Sequence, residues 1–267
     1  MKAIINNHTV SYFDNEKLTA LPIVFIHGFP FSSLMWRPQE EYFFENYRVI
    51  TYDIRGHGDS DFGDLQYTIE YFVDDLLALL DFLKLKQAVI CGLSMGGYIA
   101  LRAYERFPER FLGLVLCDTK SEADTNEGKI KRSQQALQVK KDGAIPFAAG
   151  FTKNVFTEKS FEKITEPVET IKRIIGKTSP LSIGATLIAL AARTDTTHVL
   201  PTINVPTLIL VGEFDTVTPV AVSQTMFEKI PAAEMLIISN AGHVSNLENA
   251  EEFNAALESF LKKLKPA

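Results

Sequence analysis

Short apolar runs of about five residues recur along this chain, separated by longer stretches in which apolar residues return every three or four positions. The short runs are rich in Val, Ile and Leu and suit strands buried on both faces. The longer stretches suit amphipathic helices that cover such a sheet. Eight strands are expected, at residues 4–6, 9–13, 23–27, 48–52, 88–91, 112–117, 207–211 and 234–238. Helices are expected over 69–83, 95–107 and 250–263, the first with Phe72, Leu76, Leu79, Leu80 and Leu83 on one side. The fold class is α/β, an eight-stranded, mostly parallel sheet with helices on both faces.

Residues 120–200 break this alternation. A polar, charge-rich opening leads into helical patterns punctuated by Gly143, Pro146, Pro167 and Pro180, with no strand-like run. The stretch reads as an all-helical insertion on a core formed by 1–119 and 201–267. A chain of 267 residues that is 46% apolar can bury one such core.

The run Gly92-Leu93-Ser94-Met95-Gly96-Gly97 stands between an expected strand and an expected helix. A serine on a sharp strand-to-helix turn needs glycines two residues to either side, because larger side chains would collide there. A serine hydroxyl is a poor nucleophile at neutral pH. It needs a histidine to take its proton and a carboxylate to hold that histidine in the useful tautomer. On such a sheet they follow in the order Ser, Asp, His. Asp215 lies just past the run TLILV, and His243 lies between the last expected strand and the last helix. Asp118, directly after the sixth strand, is a rival for the acid role, with capping of the next helix as its alternative.

Acyl transfer also requires two backbone N–H donors aimed at one oxyanion. Met95 supplies one from the helix start. The other is expected from the loop His27-Gly28-Phe29-Pro30, where Pro30 has no N–H and Phe29 is the better candidate. His27 is expected to shape that loop through a local hydrogen bond. The segment Asp53-Ile54-Arg55-Gly56-His57-Gly58-Asp59-Ser60 is expected to be a turn braced by an internal Asp–Arg interaction. Substrate walls are sought among Phe29, Trp36, Phe147, Phe151 and Phe156.

In five ordered motifs the chain resembles the α/β-hydrolase superfamily: HGFP, DIRGHGDS, GLSMGG, VGEFDTVTP and AGHVSNLE. Within it, the similarity is to the group of carboxylesterases, 3-oxoadipate enol-lactonases and cofactor-free haloperoxidases. That resemblance implies a helical cap, or lid, between the sixth and seventh strands. It places Ser94, Asp215 and His243 on the triad, with Phe29 and Met95 on the oxyanion hole. The activity it implies is hydrolysis of small carboxylic esters, with lactone hydrolysis and perhydrolysis as alternatives. A non-catalytic small-molecule receptor on the same scaffold is a further one.

This chemistry calls for no cofactor, and no metal-ligand spacing such as H-x-x-x-H or C-x-x-C is present. The net charge of −6 offers no field for nucleic acid or an anionic membrane surface, so the expected partner is a small ester or lactone. Cys91 and Cys117 end two apolar runs and read as buried reduced thiols. No signal peptide and no apolar run of about 18 residues is present, so the expected location is cytoplasmic. Oligomeric state is not legible.

Overall fold

The computed structural model describes residues 1–264, so the expected core segment 201–267 ends in three residues outside the described ones. Eight strands form one sheet: β1 (Lys2–Ile5), β2 (His8–Asp14), β3 (Pro22–Ile26), β4 (Arg48–Tyr52), β5 (Ala88–Leu93), β6 (Phe111–Cys117), β7 (Thr207–Gly212) and β8 (Ala233–Ile238). Their order across the sheet is β1-β2-β4-β3-β5-β6-β7-β8. β1 and β2 are antiparallel, joined through Asn6 and Asn7, both at positive φ, as a tight hairpin turn requires. From β4 through β8 every neighbouring pair is parallel.

All eight strands lie where the apolar runs put them, β4 with the expected bounds and no end shifted by more than two residues. β5 continues through Gly92 and Leu93, because their backbones still pair with Leu116 and Cys117. The central strands β4, β5 and β7 are buried at every position, as strands covered on both faces must be.

Helices α1 (Arg37–Phe43), α2 (Ile69–Phe82) and α3 (Met95–Arg106) follow the first strands. Thr68 caps α2 by accepting the Tyr71 N–H, and Phe72, Leu76, Leu79 and Leu80 are buried. Leu83 falls one residue past the helix end and stays partly exposed. Between β6 and β7 the chain runs through α4 (Asn126–Asp142), α5 (Ala144–Val155), α6 (Ser160–Lys163), α7 (Thr165–Lys177) and α8 (Pro180–Ala191). The breakers expected there act in different ways. Gly143, at φ 87°, separates α4 from α5, and Pro180 opens α8. Pro146 and Pro167 sit in the first turns of α5 and α7, where no intrahelical N–H bond is lost. α9 (Val220–Lys229), α10 (Ser245–Glu248) and α11 (Ala250–Leu261) complete the chain, with α11 packing beside α1.

Cys91 and Cys117 are buried free thiols with sulfurs 3.7 Å apart. Among the described residues no single helix is long and apolar enough to cross a membrane.

Candidate active site

Ser94 links β5 to α3 at φ 54° and ψ −111°, a backbone conformation that costs a residue with a side chain about 1–3 kcal/mol. The surrounding glycines are there because backbones cross. A Cβ on Gly92 would stand 2.2 Å from the Gly96 carbonyl oxygen, and one on Gly96 would stand 2.2 Å from that of Ile26 on β3. The turn is pinned on both sides. The Ser94 N–H donates to the Cys117 carbonyl at 2.9 Å, and the Thr119 hydroxyl donates to the Ser94 carbonyl at 2.7 Å.

His243 Nε2 lies 2.9 Å from Ser94 Oγ, and its Nδ1 lies 2.8 Å from Asp215 Oδ2. With the proton on Nδ1 donated to Asp215, Nε2 presents a lone pair to the serine hydroxyl. Burial opposes the imidazolium, but the Asp215 charge and hydrogen bond outweigh it and hold His243 above 6.5. Burial likewise opposes ionisation of Asp215. The His243 charge and hydrogen bond, with the N–H and hydroxyl of Thr218, overcome it and keep this carboxyl below its usual range. Asp215 accepts the Val217 and Thr218 N–H groups at 2.8 and 2.9 Å and the Thr218 hydroxyl at 2.7 Å. Thr119 and Thr218 escaped sequence reasoning, because nothing local distinguishes a supporting threonine from any other loop threonine.

Asp118 makes no hydrogen bond to His243, and it does not cap α4, whose cap is Thr125. Its carboxyl accepts the Gly212 N–H at 2.8 Å, and the Ser245 hydroxyl and N–H at 2.6 and 3.3 Å. It thereby joins the ends of β6 and β7 to the histidine loop. Full burial, reinforced by the Asp215 charge, pushes it up to about 8.

The loop after β3 lies against this turn: a Cβ on Gly28 would meet Leu93 Cδ2 at 3.0 Å and the Leu93 carbonyl at 3.2 Å. Among the described residues neither the Phe29 N–H nor the Met95 N–H donates a hydrogen bond within the protein. Both are free to bind an anionic oxygen. His27 shapes the loop, its Nδ1 bonding the Gly28 carbonyl at 2.9 Å while Nε2 accepts the Ile54 N–H at 3.0 Å. Burial lowers it to about 4, so it is neutral.

The segment 53–60 differs from expectation. Asp53 accepts the N–H groups of Ser33 and Asp59, whereas Arg55 turns away from it to pair with the buried Asp75 of α2 at 2.7 Å. Asp53 is already satisfied by backbone donors, so no internal Asp–Arg bond forms.

The five candidate wall residues separate. Phe147 and Phe151 stack at 5.5 Å, and both meet the Phe29 ring edge-on, at 6.2 and 5.8 Å; Phe31, not foreseen, meets Phe151 at 6.0 Å. Trp36 is a correction: fully buried, it packs on Phe25 at 4.9 Å and Phe253 at 6.2 Å, between the sheet and α11, as a core residue. Phe156 is another. It faces Phe161 and a groove shared with Phe214 and Gly242, outside the Phe29 cluster, because α5 ends just before it. A cavity of about 360 Å³ lies between α4 and α5, lined by Val139, Asp142, Pro146, Gly150, Phe147 and Phe151.

The family model for the α/β-hydrolase fold matches residues 22–250. The chain is 32% identical to 3-oxoadipate enol-lactonase 2 of Acinetobacter baylyi over 241 residues, 90% of this chain and 88% of that protein. It is 33% identical to a thermophilic esterase from Thermogutta terrifontis, with a TM-score of 0.94 over 98% of both chains. The enol-lactonase from Burkholderia xenovorans LB400 shares 29% identity and a TM-score of 0.91, over 98% of this chain and 100% of that one. The motif order, the eight-stranded sheet and this full-length similarity agree, and the chain belongs to the α/β-hydrolase fold family.

Proposed function

We propose that this protein hydrolyses small carboxylic esters through an acyl-enzyme on Ser94. The observation that carries the reading is the unbroken hydrogen-bonded line from Ser94 Oγ through His243 to Asp215. His243 Nε2 takes the hydroxyl proton as Ser94 Oγ bonds to the ester carbonyl carbon. The carbonyl oxygen gains the negative charge between the Phe29 and Met95 N–H groups. When the tetrahedral species collapses, the imidazolium passes its proton to the departing alcohol. A water then repeats the sequence on the acyl-enzyme and releases the acid and the free serine.

Phe29, Phe147 and Phe151 form the wall of the substrate site in this reading, which favours a small, partly apolar acyl group. Residues 120–200 serve as its lid. The similarity to two enol-lactonases favours lactone hydrolysis as the second reading, in which the leaving alkoxide stays tethered to the acyl group. Perhydrolysis reuses the same groups with peroxide in place of water.

The test is labelling by a fluorophosphonate, read by mass, with turnover of aryl esters, small lactones, and acetate plus peroxide. Labelling and ester hydrolysis that both vanish in Ser94→Ala support the reading. A parent protein that neither labels nor turns over any of these would overturn it, leaving a receptor to be sought.

A further inference from the structure

The residues that hold His243 in place come from two directions. From the core, Asp118 holds Ser245, and Gln39 holds Asn246 through bonds of 3.1 Å in both directions. From the other direction, the His243 backbone N–H reaches the end of α5 directly, and the Gly242 N–H reaches the turn after α5 through Glu248 of α10. The His243 N–H donates to the Val155 carbonyl at 2.9 Å, and the Gly242 N–H donates to Glu248 Oε2 at 2.5 Å. The other oxygen of Glu248 accepts the Thr157 N–H at 2.7 Å and the Ser160 hydroxyl at 2.6 Å.

One carboxylate therefore ties the turn after α5 to the residue that precedes the imidazole. The contact leaves no slack. A Cβ on Gly242 would stand 3.0 Å from both Glu248 Oε2 and the Val155 carbonyl oxygen. In its first turn and its middle α5 carries Phe147 and Phe151, which rest on Phe29. A single helix thus touches the loop offering an oxyanion donor and the loop offering the base.

We propose that Glu248 is a positioning residue, a latch that sets the His243 imidazole against Ser94 only while α5 is seated on the core. The inference rests on the serine-hydrolase reading above. Three donors converge on two carboxylate oxygens, so a carboxamide, with one acceptor oxygen and an N–H₂ group facing a donor, cannot replace it. Movement of α5 away from the core separates Val155 and Thr157 from the histidine loop, and the imidazole loses its fixed distance to the hydroxyl. Misplacement on the order of 1 Å at a reacting group lowers a rate by about 10²-fold.

Glu248 also faces the imidazole, together with Asp215 from the loop after β7 and Asp118 from the end of β6, and of these Asp118 is largely protonated below about pH 8. Removing the Glu248 charge moves the acid limb of the activity profile to lower pH, and Ser160→Ala, which loosens the same contact but keeps the charge, separates that effect from packing.

Glu248→Gln, Glu248→Ala and Ser160→Ala test the latch in the full chain, against kcat and KM on p-nitrophenyl butyrate, the pH profile, the fluorophosphonate labelling rate and thermal melting. The Glu248 variants are expected to lose about 10-fold or more in kcat with little change in KM. They should also label more slowly and shift the acid limb downward. Ser160→Ala keeps the charge, so it lowers kcat less and leaves the acid limb in place. Folded Glu248 variants with parental kcat and acid limb overturn the proposal. Should they fail to fold, an unchanged kcat and labelling rate in Ser160→Ala overturn it instead. A parent that does not label refutes the nucleophile itself, a result distinct from failure of the latch.

Discussion

Replacing Gly96 by alanine puts a methyl carbon 2.2 Å from the Ile26 carbonyl oxygen, 2.8 Å from its carbon and 3.1 Å from the His27 carbonyl oxygen. Carbon and oxygen in close contact rest at about 3.3 Å, so roughly 1 Å of space must open. No flexible side chain can yield it. Ile26 ends β3, in the middle of the sheet, and Gly96 is the second residue of α3. The start of the helix must therefore lift from the strand, and Ser94 moves with it. Overpacking of this kind costs about 1–3 kcal/mol, which for a domain of this size lowers Tm by about 2–12 °C. A nucleophile displaced by about 1 Å loses about 10²-fold in rate. Gly176→Ala in α7 is the control, since its Cβ meets only Ile145 Cγ1 at 3.9 Å. An alanine in the middle of a helix gains about 0.5–1 kcal/mol over glycine and Gly176 lies in the last turn of α7, so Tm should rise by at most about 1–4 °C with activity retained. Calorimetry and turnover of p-nitrophenyl butyrate read both variants. A Gly96→Ala protein with parental Tm and kcat/KM would refute the steric reasoning.

The rate on aryl esters is expected to fall as pH drops through the His243 pKa, because only the neutral imidazole accepts the Ser94 proton. Asp215 holds that pKa above 6.5, so the acid limb of kcat/KM has its midpoint above pH 6.5; a flat profile from about pH 5 to 8 would contradict His243 as base. Asp215→Asn should keep the fold by circular dichroism and lose about 10⁴-fold in kcat through the wrong imidazole tautomer. Asp118→Ala strands the Gly212 and Ser245 donors, at about 1–3 kcal/mol for each buried group, and should lower Tm while kcat falls far less than in Asp215→Asn. An equal loss of kcat in the two variants would make Asp118 a working acid. Phe151→Ala removes the ring that stacks on Phe147 and meets Phe29 and Phe31, and is expected to raise KM for the butyrate ester more than it lowers kcat.

Much of the site was legible because each motif sits where a strand must end. Buried parallel strands read as apolar runs, and their C-terminal ends deliver Ser94, Asp215 and His243 to one edge of the sheet in a fixed order. The glycines of GLSMGG were legible for the same reason. A turn that packs a helix against the neighbouring strand leaves no room for a Cβ, and composition alone records that.

What only the tertiary structure decided are contacts between residues far apart in sequence. Trp36 and Phe151 are both aromatic residues in helical surroundings, and no local pattern shows that one faces Phe253 while the other faces Phe29. Asp118 looked like an acid or a cap. Its partners lie 94 and 127 residues away, and they make it a brace between loops. Glu248 closes the motif AGHVSNLE with no partner named by the sequence, yet its carboxylate closes on Thr157 and Ser160, 91 and 88 residues earlier. Periodicity and backbone sterics are local and are written along the chain. The partner of a buried carboxylate or ring is chosen in space, by which loops the folded sheet brings together.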